Sequence, residues 1–150
     1  IPTLISSFLK NQKAPIYGKG KNIREWMYVK ESCNAIWKVI ISNKKFEKIN
    51  LGSGIRLNNL EIAKKIFKIM KNKKLTSLSS KDYIKMVKDR PGHDERYALN
   101  TTVFKKNIKY KIQNNLYKTL EKTINWYIEN DSWIKNVNRS YDNKRQGLID

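Results

Sequence analysis

The chain's only histidine stands in the run Asp89-Arg90-Pro91-Gly92-His93-Asp94, which continues through Glu95 to Arg96-Tyr97. These residue types suit an anion. Arg90 offers a planar fork of N–H donors that matches phosphate, and His93 adds a ring nitrogen. Pro91 fixes its own φ and pushes Arg90 toward extended geometry, while Gly92 permits a sharp reversal, so the run forms a turn that closes on a ligand. The plain alternative is a solvated Pro-Gly surface turn. His93 and Asp94 have no Ser or Cys nucleophile in a recognisable setting, which argues against a hydrolytic triad. One cysteine, Cys33, and one histidine leave nothing resembling a zinc site and no internal disulfide; Cys33 reads as a small packing residue.

Several elements must position this turn. Ile1, Leu4, Ile5, Phe8 and Leu9 have helical spacing from the first residue with no N-cap before them, as in a helix cut near its start. Ala14 to Tyr17 reads as a short extended segment, Gly18-Lys19-Gly20 as a turn, and Ile23 to Val29 as an alternating strand. Ser32 is placed to cap a helix carrying Ala35, Ile36, Val39 and Ile40 on one face, and Lys48 to Leu51 reads as a buried strand. Asn58 or Asn59 opens a helix whose apolar stripe is Leu60, Ala63, Ile66, Phe67 and Met70. A polar connection from Asn72 to Lys81 leads to a strand from Tyr83 to Val87, and the anion turn follows. Arg96 to Leu99 is then extended, Thr101 or Thr102 caps a short helix, and Leu116, Leu120, Ile124, Tyr127 and Ile128 mark a last amphipathic helix. From Asn136 to Asp150 the periodicity is lost, which reads as a loosely ordered tail.

The 150 residues suffice for one domain, with 39% apolar and 30% charged content typical of a globular protein. No charged-then-apolar leader precedes the first helix and no window approaches about 18 uninterrupted apolar residues, so a cytoplasmic location is expected. A net charge of +19 raises the question of nucleic acid. Only six of the 32 basic residues are arginine, however, and the lysines are scattered among Asn and Ile. Base readout favours arginine, and strand binding needs exposed aromatics within a basic groove, whereas most aromatics here fall at core-periodic positions. Non-specific, salt-sensitive adhesion is expected instead.

Four segments in order carry a family likeness: Ala14-Pro15-Ile16-Tyr17-Gly18-Lys19-Gly20, Ile23-Arg24-Glu25-Trp26-Met27-Tyr28-Val29, Ile49-Asn50-Leu51-Gly52 with Asn59 beyond it, and Asp89 through Asp94. With the terminal Thr123-Ile124-Asn125-Trp126-Tyr127, they resemble the C-terminal half of dTDP-glucose 4,6-dehydratases, in the extended short-chain dehydrogenase/reductase family. The resemblance implies an α/β fold: the C-terminal part of a Rossmann-type enzyme, mostly helices with a few short strands, with the glycine-rich NAD-binding half absent. Residues 1–134 would form the nucleotide-sugar-binding region and 135–150 a polar tail.

The same resemblance implies site roles. Pro15, Ile16 and Tyr17 border the thymine base, Arg24 binds the diphosphate, Asn59 contacts substrate or caps its helix, and Asp89, Arg90, Pro91, Gly92 and His93 close over the nucleotide. A dTDP-sugar is the implied ligand, NAD the cofactor of the whole enzyme, and a homodimer its assembly. Tyr17 and Lys21 have the spacing of the family's catalytic Tyr-x-x-x-Lys pair, but that pair needs a helix face, and Gly18 and Gly20 oppose helix. Gly52-Ser53-Gly54 likewise fails as a dinucleotide fingerprint, since Leu57 stands where the third glycine belongs. No catalytic residue is therefore assigned, and the chain alone is not expected to turn over. Glu25, Ser32, Ser53 and Glu95 depart from the family pattern. A basic nucleic-acid-binding domain and an inactive remnant that binds only a nucleotide or protein partner are the alternatives.

Overall fold

In chain order the elements are α1 (Pro2–Leu9), β1 (Ala14–Tyr17), β2 (Ile23–Glu25), α2 (Val29–Ile40), β3 (Arg56–Asn58), α3 (Asn59–Asn72), β4 (Ile84–Val87), α4 (Thr102–Asn107), α5 (Leu116–Glu129) and α6 (Asp131–Arg139). The computed structural model describes residues 1–113 and 115–139. The α/β architecture with short strands among more extensive helices agrees with the expected class.

The main core forms where three amphipathic helices meet one strand. Leu4, Ile5 and Phe8 of α1, Ala14 and Ile16 of β1, the stripe from Ile62 to Met70 on α3, and Leu120 and Ile124 of α5 enclose it. These positions recur at the helical spacing of three and four, or alternate along the strand, which is why one face of each element is apolar. Phe67 stacks on Tyr83 with ring centroids 4.1 Å apart, and Phe8 meets Phe67 edge-on at 5.4 Å. A second cluster gathers Ala35 of α2 with Phe104 and Ile108, bordered by Met27, Val39, Phe46, Ile49 and Leu51. Glu31 ties α2 to this side, accepting from the Tyr110 hydroxyl at 2.9 Å and the Gln113 N–H at 3.0 Å.

Strands β1 and β4 pair in parallel, Ala14 opposite Ile84 and Tyr17 opposite Val87. Strands β2 and β3 pair antiparallel, Ile23 opposite Asn58 and Glu25 opposite Arg56. Helix α3 starts on a capping box: Asn58 accepts from the Glu61 N–H at 2.8 Å while Glu61 accepts from the Asn58 N–H at 2.8 Å. Asn58 is thus the cap, and Asn59 is the first helical residue.

Several expectations need correction. Helix α2 begins at Val29 with Tyr28 as its N-cap residue, so Ser32 lies inside the first turn and caps nothing. Glu31, in that first turn, supplies the negative charge that favours the start. Lys48 to Leu51 forms no strand, since no described segment pairs with it, while the short β3 went unforeseen because Arg-Leu-Asn carries no β-branched residue. Ile36 and Ile40 are exposed, and so is Cys33, which is not a packing residue. The aromatics are less internal than their spacing implied, with Trp37, Tyr97, Tyr117, Trp126 and Trp133 all exposed. Helix α6 runs into the stretch expected to be irregular as far as Arg139, and the remainder of that tail lies outside the described residues.

Candidate functional site

Because β1 and β4 are parallel, their carboxyl ends lie side by side, and the segments leaving them start from one edge. That edge is where open α/β sheets bind ligands. The Gly18 N–H donates to the Val87 carbonyl at 2.9 Å, so the glycine turn after β1 and the loop after β4 begin in contact. Gly18 has φ 55, and a Cβ there would fall 2.3 Å from Asp89 Oδ2, so the carboxylate occupies the space a side chain would need. Gly20 has φ 65 and lets Ile16 and Leu60 close beneath the turn, with an added Cβ only 2.7 Å from each. Gly20→Ala is therefore expected to destabilise the protein by about 2 to 4 kcal/mol, measured by urea unfolding, combining left-handed strain with overpacking.

The loop from Asp89 to Tyr97 lies along β2. The Ile23 N–H donates to the Glu95 carbonyl at 2.7 Å, the Tyr97 N–H donates to the Ile23 carbonyl at 3.0 Å, and Asn22 Nδ2 donates to the Asp94 carbonyl at 3.1 Å. Arg24 reinforces this docking. Its Nη2 donates to the Asp94 carbonyl at 3.0 Å, its Nη1 to the Ile23 carbonyl at 2.8 Å, and its guanidinium carbon lies 4.7 Å from the centre of the Tyr97 ring. Two of the five N–H donors of Arg24 are thereby used, leaving the others for a ligand.

Asp89 holds the turn from within. Its Oδ1 sits 2.6 Å from His93 Nδ1 and accepts from the Arg90 N–H at 2.9 Å, which fixes the imidazole with only 9% of its side chain exposed. The hydrogen bond with His93 is the main reason the Asp89 carboxyl is held below its ordinary value of 3.8; desolvation opposes it, and the Arg90 N–H and the charges of His93 and Arg90 add smaller lowering effects. Asp94 is lowered chiefly by the hydrogen bond from the Tyr97 hydroxyl, with Arg24 and Arg90 both contributing charge, and the same bond raises Tyr97. Both arginines thus act on one small region. Arg90 itself is exposed and has no described side-chain hydrogen bond.

A carboxylate whose folded value is depressed contributes order above its unfolded value and loses it as pH falls through the folded one. The NMR shift of the Arg90 amide, which donates to Asp89, is expected to report this carboxylate with a midpoint below its ordinary value of 3.8. Asp89→Asn should abolish that acid transition. Its persistence in the variant would assign it to another group.

The sequence-derived site residues are not equivalent in the structure. Tyr17, Arg24, Asp89, Arg90 and His93 are gathered at the strand ends, with Pro91 and Gly92 exposed at the tip of the turn. Gly92 has φ 63 and open space around it, so glycine serves the backbone reversal there. Ile16 is a core residue, 4% exposed, and supports the turn from below, while Pro15 and Tyr17 alternate to the other side. Asn59 follows Asn58, the β3 partner of Ile23, and so starts α3 beside the same strand. Tyr97 was not among the predicted contacts. Its pairing with Arg24, far away in sequence, has no signal in residue type or spacing.

Glu25, one of the departures from the family pattern, is structural. Its carboxylate is 8% exposed and accepts from the Gly54 N–H at 2.7 Å and the Leu99 N–H at 3.3 Å, with Arg56 Nε at 3.4 Å. Glu95 contributes its carbonyl to the docking of the loop, and its exposed side chain forms no described ion pair.

The largest of the described hollows, about 500 Å³, directly follows this loop and is lined in part by Arg56, Arg96, Leu99 and Thr101. Two arginines and one histidine thus stand together at the ends of parallel strands in an α/β protein. Residues 1–123 match the family model described as GDP-mannose 4,6 dehydratase, and the chain belongs to that family. It is 34% identical over 151 residues to a probable dTDP-glucose 4,6-dehydratase of Sinorhizobium fredii, covering 100% of this chain and 43% of the relative. It is 33% identical over 137 residues to dTDP-glucose 4,6-dehydratase 1 of Escherichia coli strain K12, covering 91% and 38%. Among solved structures it resembles DesIV, the dTDP-glucose 4,6-dehydratase of Streptomyces venezuelae with NAD and TYD bound, with TM-score 0.79 and 28% identity over 89% of this chain and 39% of that one. The Bacillus anthracis dTDP-glucose 4,6-dehydratase in complex with NAD gives TM-score 0.76 and 30% identity over 88% and 40%. The chain therefore spans less than half the length of these relatives.

The described residues form no cradle that fits NAD. A dinucleotide cradle needs a glycine-rich turn that opens a helix. Gly18-Lys19-Gly20 leads into β2, and Gly52-Ser53-Gly54 leads into β3. The Glu25 carboxylate lies 2.2 Å from where a Gly52 Cβ would stand, and Ser53 Oγ donates to the Trp26 carbonyl, so this second loop is filled by the protein itself.

Proposed function

We propose that the chain forms the nucleotide-sugar-binding part of a dTDP-glucose 4,6-dehydratase, an NAD-dependent lyase that converts dTDP-glucose to dTDP-4-keto-6-deoxyglucose and water for deoxysugar synthesis. The observation that carries this reading is the loop from Asp89 to Tyr97, pinned to β2 by Arg24 at the carboxyl ends of two parallel strands, with Arg90 exposed at its turn. Arg24 and Arg90 hold the diphosphate. Tyr17 and Pro15 border the base, with Ile16 beneath them, and Asn59 reaches the ligand from the start of α3. Asp89 orients His93, while Pro91 and Gly92 shape the clasp. His93 is read as a binding residue: Asp89 holds its Nδ1, which leaves Nε2 to meet the ligand. The chain alone does not turn over, a reading supported by the absence of a fitting NAD cradle among the described residues.

Calorimetric titration of the chain with dTDP, GDP and a single-stranded oligonucleotide at several salt concentrations tests the reading. Binding of dTDP that survives moderate salt, and exceeds that of GDP, is the expected result. Binding of any oligonucleotide with a steep loss in salt, and none of dTDP, would overturn it, because phosphate neutralisation alone gives that slope.

A further inference from the structure

The layer built on β2 has two faces, and the nucleotide reading uses one of them. Arg24 lies over the Tyr97 ring, and Ile23 bridges to Arg96 alongside. Consecutive residues of extended chain point to opposite sides, so Glu25 and Arg96 turn away from the face that Arg24 and Tyr97 share. Glu25 stands opposite Arg56 in the pairing of β2 with β3 and forms an ion pair with it at 3.4 Å, which places Arg56 on that reverse face too. The hollow of about 500 Å³ opens there, with Arg56, Arg96 and Lys105 in its lining beside Asn100, Thr101 and Thr102.

Three cations and no carboxylate line this hollow. They come from β3, from the loop after β4 and from α4, so no single basic run accounts for their convergence. Arg96 and Lys105 are exposed, and neither side chain has a described hydrogen bond or ion pair. Arg56 directs Nε toward Glu25 at 3.4 Å and Nη2 to the Leu99 carbonyl at 3.2 Å. Those two bonds fix the guanidinium and leave its other N–H groups for a ligand. The Glu25 carboxylate behind it is 8% exposed and already accepts from Gly54 and Leu99.

Thr101 is a second, independent sign of a ligand. It is 9% exposed, its methyl lies 3.2 Å from where a Gly52 Cβ would stand, and its hydroxyl makes no described hydrogen bond. Buried hydroxyls are normally paired, and an oxyanion in the hollow would pair this one. No aromatic ring belongs to the lining, so a base has nothing to stack on. We propose that this reverse-face hollow is a second anion site, separate from the nucleotide surface. It takes a small, multiply charged phosphate compound without a base, held by Arg56, Arg96 and Lys105 through charge-assisted hydrogen bonds and by the Thr101 hydroxyl. The site stands on its own residues and does not depend on the choice of nucleotide.

Amide NMR and calorimetry of the full 150-residue chain, with inorganic pyrophosphate and separately with a hexose phosphate at constant ionic strength, test this site. Saturable shifts at the Thr101 and Thr102 amides and a one-to-one stoichiometry are expected. Arg96→Gln and Lys105→Gln should each weaken pyrophosphate binding by at least about tenfold. Their melting temperatures should match the unsubstituted chain, because both side chains are exposed and make no described bond. Thr101→Val keeps the branched shape, removes the hydroxyl, and should weaken binding by about threefold to tenfold. Arg90→Ala, on the nucleotide surface, should leave it unaltered. Tighter binding of either probe supports the site and identifies its ligand as inorganic or organic phosphate. Absence of saturable shifts at Thr101 and Thr102 with both probes would overturn the proposal. Equal losses in Arg96→Gln and Lys64→Gln would also overturn it, as diffuse attraction to a basic chain, and so would a loss in Arg90→Ala that matches Arg96→Gln.

Discussion

Arg24→Ala is expected to lower dTDP affinity by about 100-fold, and Arg90→Ala by about 30-fold, both read by calorimetry at fixed salt. The ranking follows from what each side chain touches. Arg90 is exposed and its side chain makes no described hydrogen bond, so its loss removes a charge-assisted contact and its weak pull on Asp89 and Asp94. Arg24 also donates to the Asp94 carbonyl and covers the Tyr97 ring, so its loss releases the loop that closes the site. Arg24→Lys separates these effects. It keeps the charge but loses the planar fork and most of the stacking, and should recover only a small part of the affinity. Equal and salt-dependent losses at Arg24, Arg90 and an unrelated lysine such as Lys64 would mean that charge alone is being read.

Phe8→Ala is expected to cost about 3 to 5 kcal/mol in urea unfolding and to lower the melting temperature by roughly 10 °C. Phe8 is fully buried and meets Phe67 and Tyr83 edge-on, with centroids 5.4 and 6.0 Å away. Truncation leaves a cavity between α1, α3 and the segment before β4, and the stacked pair loses its edge contacts. Leu4→Ala, nearer the surface of the same helix, should cost less. Its equality with Phe8→Ala would indicate that α1 frays rather than that a cavity forms.

The site and the core differ in how far they were legible. The turn at Asp89 to Asp94 was readable because proline, glycine, histidine and arginine each restrict geometry or chemistry on their own. The stripes of α1, α3 and α5 were readable because burial imposes helical spacing along one element. Arg24 over Tyr97, and Glu25 between Gly54 and Leu99, were not readable, since each joins segments whose separation no local rule encodes.

Helix α2 shows the boundary between the two. Residue types alone determined that it is amphipathic and that a Pro-Gly turn carrying Arg90 and His93 follows a strand. Which face of α2 is buried was decided by tertiary structure, because a stripe states only that a cover is wanted and not which layer provides it. The same holds for Lys48 to Leu51, whose alternation suits a strand but whose hydrogen bonds need a neighbour. Periodicity is a property of one segment, while burial and pairing belong to two.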